Sequence, residues 1–160
     1  MSSCVIPGSF DPVTLGHQDL IRRAARLFDT VTVVIMINIR KQGVFPPAER
    51  AALMRAACGA LPNVRVETWE GLLSEYMRVR KERTVIRGVR GGTEFDGECL
   101  SAQANRLLNP EMETLLMPAG EGKNWISSSA VKEIAAFGGD IRDYLPPECA
   151  EEIALRLSNR

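Results

Sequence analysis

A chain of 160 residues with 45% hydrophobic content suits one domain with a sizeable core. Its 20 basic and 20 acidic residues cancel, which argues against a main partner that is nucleic acid or an anionic membrane, so any anion site must be local. The four cysteines Cys4, Cys58, Cys99 and Cys149 form no C-x-x-C pair and no apolar run is long enough to span a bilayer, so the expectation is a reduced, cytoplasmic protein with neither zinc site nor disulfide framework.

Cys4-Val5-Ile6 reads as a short buried strand that Pro7-Gly8 stops. Leu20, Ile21, Ala24, Ala25 and Phe28 then recur at helical spacing, which puts His17, the only histidine, in the first helical turn. A helix N-terminus offers free N–H groups and a positive dipole end, and glycines admit a ligand close to the backbone, so phosphate is the natural guest of the turn between strand and helix. Thr30–Ile37 is β-branched and almost continuously apolar, as in a central strand covered on both faces. The polar loop 38–43 follows its carboxyl end and carries Lys41 to the edge where open α/β sheets bind ligands. Pro46-Pro47-Ala48-Glu49-Arg50 starts a helix expected to turn Ala52, Leu53, Ala56 and Ala57 inward.

Residues 63–69 alternate and predict a third strand, more exposed than the second, with a helix from Leu72 to about Arg80 behind it. Glu75 and Glu82 flank Arg78, Arg80, Lys81 and Arg83, so this cluster reads as a solvated helix end. Thr84-Val85-Ile86 is a fourth short strand running into Arg87-Gly88-Val89-Arg90-Gly91-Gly92, a glycine-rich loop whose guanidiniums suit forked hydrogen bonds to phosphate. Glu94-Phe95-Asp96-Gly97-Glu98 leads into a helix through Leu100, Ala104, Leu107 and Leu108 that Asn109-Pro110 closes. Glu113–Pro118 is a fifth strand, and after it Trp125-Ile126-Ser127-Ser128-Ser129 opens another helix. One serine there serves as a cap; the remaining hydroxyls and free N–H groups make a second anion pocket, with Trp125 or Ile126 as apolar surface for a base. A last helix at 148–157 reads as structural closure. The alternation of strands and helices predicts a single doubly wound α/β domain over residues 1–160, its parallel sheet five-stranded, with His17, Lys41, Arg87, Arg90 and the serines along one edge as a polyphosphate site.

The runs P-G-S-F-D-P, T-x-G-H, R-G-x-R and I-S-S-S occur here in that order, and they resemble the phosphopantetheine adenylyltransferase branch of the nucleotidyltransferase superfamily along the whole chain. The resemblance implies a Rossmann-like fold and reversible transfer of adenylate from ATP to 4'-phosphopantetheine, giving dephospho-coenzyme A and pyrophosphate in the penultimate step of coenzyme A synthesis. It also implies Mg²⁺ assistance with no assigned protein ligand, a homohexamer and coenzyme A as a feedback ligand. Carried over by matched position, Ser9, Phe10, His17, Gly88, Val89, Arg90, Glu98, Lys123, Asn124, Trp125, Ile126, Ser127, Ser128 and Ser129 face ATP. Ser9, Lys41, Leu73 and Arg87 face phosphopantetheine, and His17, Lys41 and Arg90 are the catalytic set. Such a reaction needs no nucleophilic side chain, because the attacking phosphate is already an anion. The chain departs from the family pattern at Ile6, Leu15, Ile39 and Gly97, where an aromatic, asparagine, proline and tyrosine are usual; none of these removes a charged group. A sister enzyme with another phosphorylated acceptor such as nicotinate mononucleotide, or a non-enzymatic nucleotide sensor, are the competing readings.

Overall fold

The computed structural model describes residues 1–40 and 42–158. Strands β1 (Ser3–Gly8), β2 (Thr30–Ile37), β3 (Val64–Glu70), β4 (Thr84–Val89) and β5 (Glu113–Pro118) alternate with helices α1 (Leu15–Leu27), α2 (Pro47–Cys58), α3 (Leu73–Arg80) and α4 (Gly92–Leu108). α5 (Ser128–Ala136), a 3-10 turn (Arg142–Tyr144) and α6 (Ala150–Ser158) complete the described chain. All neighbouring strands run parallel in the order β3-β2-β1-β4-β5, so the direction of winding reverses between β1 and β4. A doubly wound sheet opens a crevice at that switch point, beyond the carboxyl ends of its strands.

Alternation along the strands sorts the core into two layers. Cys4, Ile6, Val31, Val33 and Ile35 meet α1, α2, α5 and α6 on one face, and Val5, Val34 and Val85 meet Tyr76 and Met77 of α3 on the other. β1 and β2 stay in register over the six pairs from Ser3–Thr30 to Gly8–Ile35, whereas β1 and β4 pair at Val5–Val85. Beyond that pair Arg87 of β4 donates from Nη1 to the Pro7 carbonyl at 2.6 Å, so a side chain joins the two strands where the crevice begins.

Several elements differ from the sequence reading. β1 continues through Pro7-Gly8, which stay in register with Val34 and Ile35 of β2, and the Pro7 carbonyl accepts from Arg87. β4 runs to Val89, so Arg87, Gly88 and Val89 belong to the strand, paired with Leu116, Met117 and Pro118 of β5. α2 buries Arg50, Ala51, Leu53, Met54, Ala57 and Cys58, and turns Ala52 and Ala56 outward; five small alanines give a weak periodic signal, and Met54 and Cys58 set the inward stripe. α6 begins at Ala150, after a turn over residues 147–149 in which Cys149 N–H donates to the Pro146 carbonyl. α4 buries none of its residues, and Leu100, Leu107 and Leu108 stand exposed on its surface. The basic cluster disperses: Arg78 donates to Leu108 O, Arg80 pairs with Glu67, and Arg83 pairs with Glu111. The four cysteines are free, and no described helix is long and apolar enough to cross a membrane.

Candidate active site

Thr14 and His17 close the N-terminus of α1 reciprocally. The Thr14 hydroxyl accepts from His17 N–H at 3.4 Å, and His17 Nδ1 accepts from Thr14 N–H at 3.1 Å. A ring nitrogen that accepts cannot carry the proton, so the neutral imidazole bears its hydrogen on Nε2, the nitrogen turned away from the cap. Burial, then the charges of Arg90 and Arg87, lower the His17 pKa from 6.5 to about 4. The ring is therefore uncharged at neutral pH, and Phe10 fixes its plane by an edge-on contact at 4.9 Å between centroids.

The loop between β1 and α1 is tied down from several sides. Buried Asp11 accepts from Val44 N–H at 2.9 Å and Phe45 N–H at 2.8 Å, with Lys132 Nζ at 3.5 Å. Ser128 Oγ donates to Pro12 O at 2.7 Å, which couples the start of α5 to the same loop. Phe10 adopts the left-handed region at φ 47°, and its ring covers Gly8, where an added Cβ would come within 2.8 Å. Any side chain at Gly8 would displace the ring that orients His17.

Across the crevice, both arginines of R-G-x-R are held by carboxylates four residues apart on α4. Arg87 forks onto Glu98 at 2.6 and 2.8 Å, and Arg90 forks onto Glu94, whose carboxylate also accepts Arg90 N–H at 2.7 Å. This pairing raises the Arg90 pKa and lowers that of Glu94. Arg87 spends three of its five N–H groups on Glu98 and Pro7, which leaves one on each terminal nitrogen for a phosphate.

Two cavities flank this seam. One of about 300 Å³ is lined by Ser9, Phe10, His17, Arg90, Lys123 and residues 126–129, among others, and it also contains Gly88 and Val89. The other, of about 290 Å³, extends past Met36, Leu73 and Val85 towards Thr114. Pro7, Gly8, Ser9, Arg87 and Glu98 line both, so the two cavities meet over Ser9 and Arg87. Lys41 lies outside the described residues. Trp125 turns edge-on to Tyr144 at 5.1 Å and does not line the cavity, and Asn124 lines a neighbouring hollow around Gly91 and Gly92. Ser127 is the α5 cap, accepting from Ala130 N–H at 3.0 Å, so Ser128 and Ser129 are the two serines beyond it.

Glu94, Asp11 and Arg50 escaped the sequence reading. Glu94 read there only as part of the run that leads into a helix. Arg50 carried a usable signal, since it precedes Leu53 and Ala57 on the inward stripe of α2; a charged residue on a buried face asks for an explanation.

The cytidylyltransferase-like family model matches residues 5–134. The chain is 45% identical over 153 residues to a phosphopantetheine adenylyltransferase of Rubrobacter xylanophilus, covering 96% of this chain and 93% of the relative. It is 43% identical to one from Heliobacterium modesticaldum, covering 96% and 92%, and 39% identical to one from Clostridium tetani over the full length of both. Among solved structures, a Vibrio parahaemolyticus protein provisionally described as a nicotinate-nucleotide adenylyltransferase is similar in fold, with a TM-score of 0.67 at 16% identity, covering 100% of this chain and 98% of that one.

Proposed function

The chain belongs to the phosphopantetheine adenylyltransferases, a nucleotidyltransferase family of coenzyme A biosynthesis, and from that premise we propose how its cleft carries the reaction. ATP occupies the cavity of His17 and Arg90, and the phosphate of 4'-phosphopantetheine meets it over Ser9 and Arg87. The apolar arm of the acceptor lies along Met36 and Leu73. The observation that carries this reading is the shared lining of the two cavities at Ser9 and Arg87, over which substrates held one in each would meet.

The acceptor phosphate attacks the α-phosphorus directly and in line, with no covalent enzyme intermediate, and the reverse reaction follows the same path. His17 Nε2–H donates to the equatorial oxygens as they gain charge, and Lys41 and Arg87 hold the acceptor phosphate. Arg90, Lys123, Ser128 and Ser129 hold the departing pyrophosphate. Among the described residues no group of three or more His, Cys, Asp or Glu gathers to hold a metal, and Glu94 and Glu98 are committed to arginines. Mg²⁺ entering with ATP would supply charge neutralisation to the triphosphate. Coenzyme A carries the same pantetheine arm and competes for the same cavities, and the enzyme works as a homohexamer in the cytoplasm.

The test is pyrophosphate release from ATP with a panel of phosphorylated acceptors. Release is expected with 4'-phosphopantetheine and Mg²⁺ together; release with nicotinate mononucleotide in its place, or with no acceptor at all, would overturn the assignment.

A further inference from the structure

Arg50 is the buried cation that the mechanism above leaves idle. It sits in the first turns of α2 with 6% of its surface exposed, and among the described residues no carboxylate lies within ion-pair distance of its guanidinium. Its Nε–H has no partner, and Nη1 donates to the Ser9 carbonyl at 2.8 Å. A buried charge without a counter-ion is costly, and replacing it by an apolar side chain of similar volume is commonly neutral or stabilising. Stability alone therefore gives no reason for a guanidinium here.

The Ser9 carbonyl supplies the reason. It belongs to the Ser9–Phe10 peptide, which is trans, so its C=O and the Phe10 N–H point in opposite directions. Anchoring the carbonyl to Arg50 of α2 turns the Phe10 N–H away from that guanidinium, and Ser9, Phe10 and His17 line the nucleotide cavity. Among the described residues the Phe10 N–H has no backbone or side-chain acceptor, although its own side chain is 4% exposed. A backbone donor without an acceptor in the lining of that cavity is one that a phosphate oxygen completes.

We propose that Arg50 is a positioning residue of the active site: it locks the Ser9–Phe10 peptide so that its N–H donates to a phosphate oxygen of the nucleotide. This inference rests on the nucleotide occupying the His17 cavity, as proposed above.

The test compares ATP with adenosine, which shares the base and ribose but has no phosphate. For Arg50→Met, the affinity for ATP should fall about ten- to hundredfold, the loss expected for a charge-assisted contact, while adenosine affinity changes less than about twofold. kcat should fall alongside, and Arg50→Lys, which keeps the charge on a shorter side chain, should recover part of both. Equal loss of ATP and adenosine binding would make Arg50 a packing residue and overturn the proposal, as would wild-type ATP affinity in a folded Arg50→Met. Where Arg50→Met does not fold, Arg50→Lys decides by the same ratio of ATP to adenosine affinity: a ratio equal to that of the wild type overturns the proposal. Failure of the wild-type enzyme to bind ATP would instead defeat the placement of the nucleotide, so the two ideas fail separately.

Discussion

Removing the His17 ring takes away two contacts at once, since Nδ1 caps α1 through Thr14 and Nε2 faces the cleft. The two are separable, because the side-chain amide of asparagine reaches as far as Nδ1 and that of glutamine as far as Nε2. His17→Asn should keep the melting temperature near that of the wild type and lower kcat on the order of 10²–10³-fold, the loss seen when one oxyanion donor is removed. His17→Gln should keep part of kcat as well as the melting temperature, because glutamine at the third helical position is the usual reciprocal partner of a threonine cap. Thermal melts and steady-state kinetics on the two variants check both, and near-normal kcat in His17→Asn would make the residue purely structural. The same nitrogen sets a pH dependence. Folded His17 titrates near 4 against 6.5 for the free side chain, so between those values the unfolded chain binds the extra proton and stability falls as pH drops through that window. His17→Asn should flatten this part of the stability profile, and long-range ¹H–¹⁵N correlation on the sole histidine should report the Nε2–H tautomer down to about pH 5. At the same scale, Arg87→Ala should weaken 4'-phosphopantetheine binding by roughly 1.5–3 kcal/mol, and Arg90→Ala should act mainly on ATP. Calorimetry with each substrate separates them, and unchanged 4'-phosphopantetheine affinity in Arg87→Ala would remove Arg87 from the acceptor site.

Helix α4 supplies Glu94 and Glu98 to the arginines of β4, so its first turns are part of the site, yet Gly97 lies between them. An added Cβ at Gly97 meets nothing within 4 Å. Gly97→Ala should therefore stabilise the fold by up to about 1 kcal/mol, raising the melting temperature by roughly 2–4 °C with kcat unchanged. A fall in melting temperature would mean that the backbone at 97 needs freedom that the helix does not reveal. Elements whose pattern comes from contacts within the chain's own segment were legible in the sequence. Thr30–Ile37 and Glu113–Pro118 are β-branched or apolar runs bounded by polar loops, and the strands begin and end at those residues. The end of β4 was not legible, because Gly88 between two arginines reads as a loop until β5 supplies Leu116, Met117 and Pro118 as partners. The inward face of α2 was obscured by its alanines for the same reason: packing against β2 and β3 decides which of them is covered. Within the site, T-x-G-H and R-G-x-R marked His17, Arg87 and Arg90 directly. Glu94, Asp11 and Arg50 act through backbone groups 4 to 41 residues away, a relation that no local spacing encodes.

At the scale of the whole molecule, the described chain leaves Phe95, Leu100, Leu107 and Leu108 of α4 exposed, together with Leu115 on the outer strand of the sheet. Apolar area gathered on one helix and the adjoining strand is the kind of surface that closed symmetric assemblies cover. Light scattering should give a mass about six times 17.6 kDa, and Leu100→Glu should lower it. A stable monomer of the wild type at micromolar concentration would refute the hexamer.

The narrow contact between β1 and β4 has a mechanical consequence. The sheet consists of a well-knit part, β3-β2-β1, and a two-stranded part, β4-β5, stitched at Val5–Val85 and by the Arg87 clasp on the Pro7 carbonyl. A phosphate on the two N–H groups that Arg87 keeps free would leave this clasp in place and add a bridge between the two parts, so occupancy of the cleft should strengthen the cohesion of the sheet. Amide hydrogen exchange should register this as faster local opening at the seam in the empty protein, and slower opening at residues 5–8 and 85–89 once ATP and 4'-phosphopantetheine are both bound.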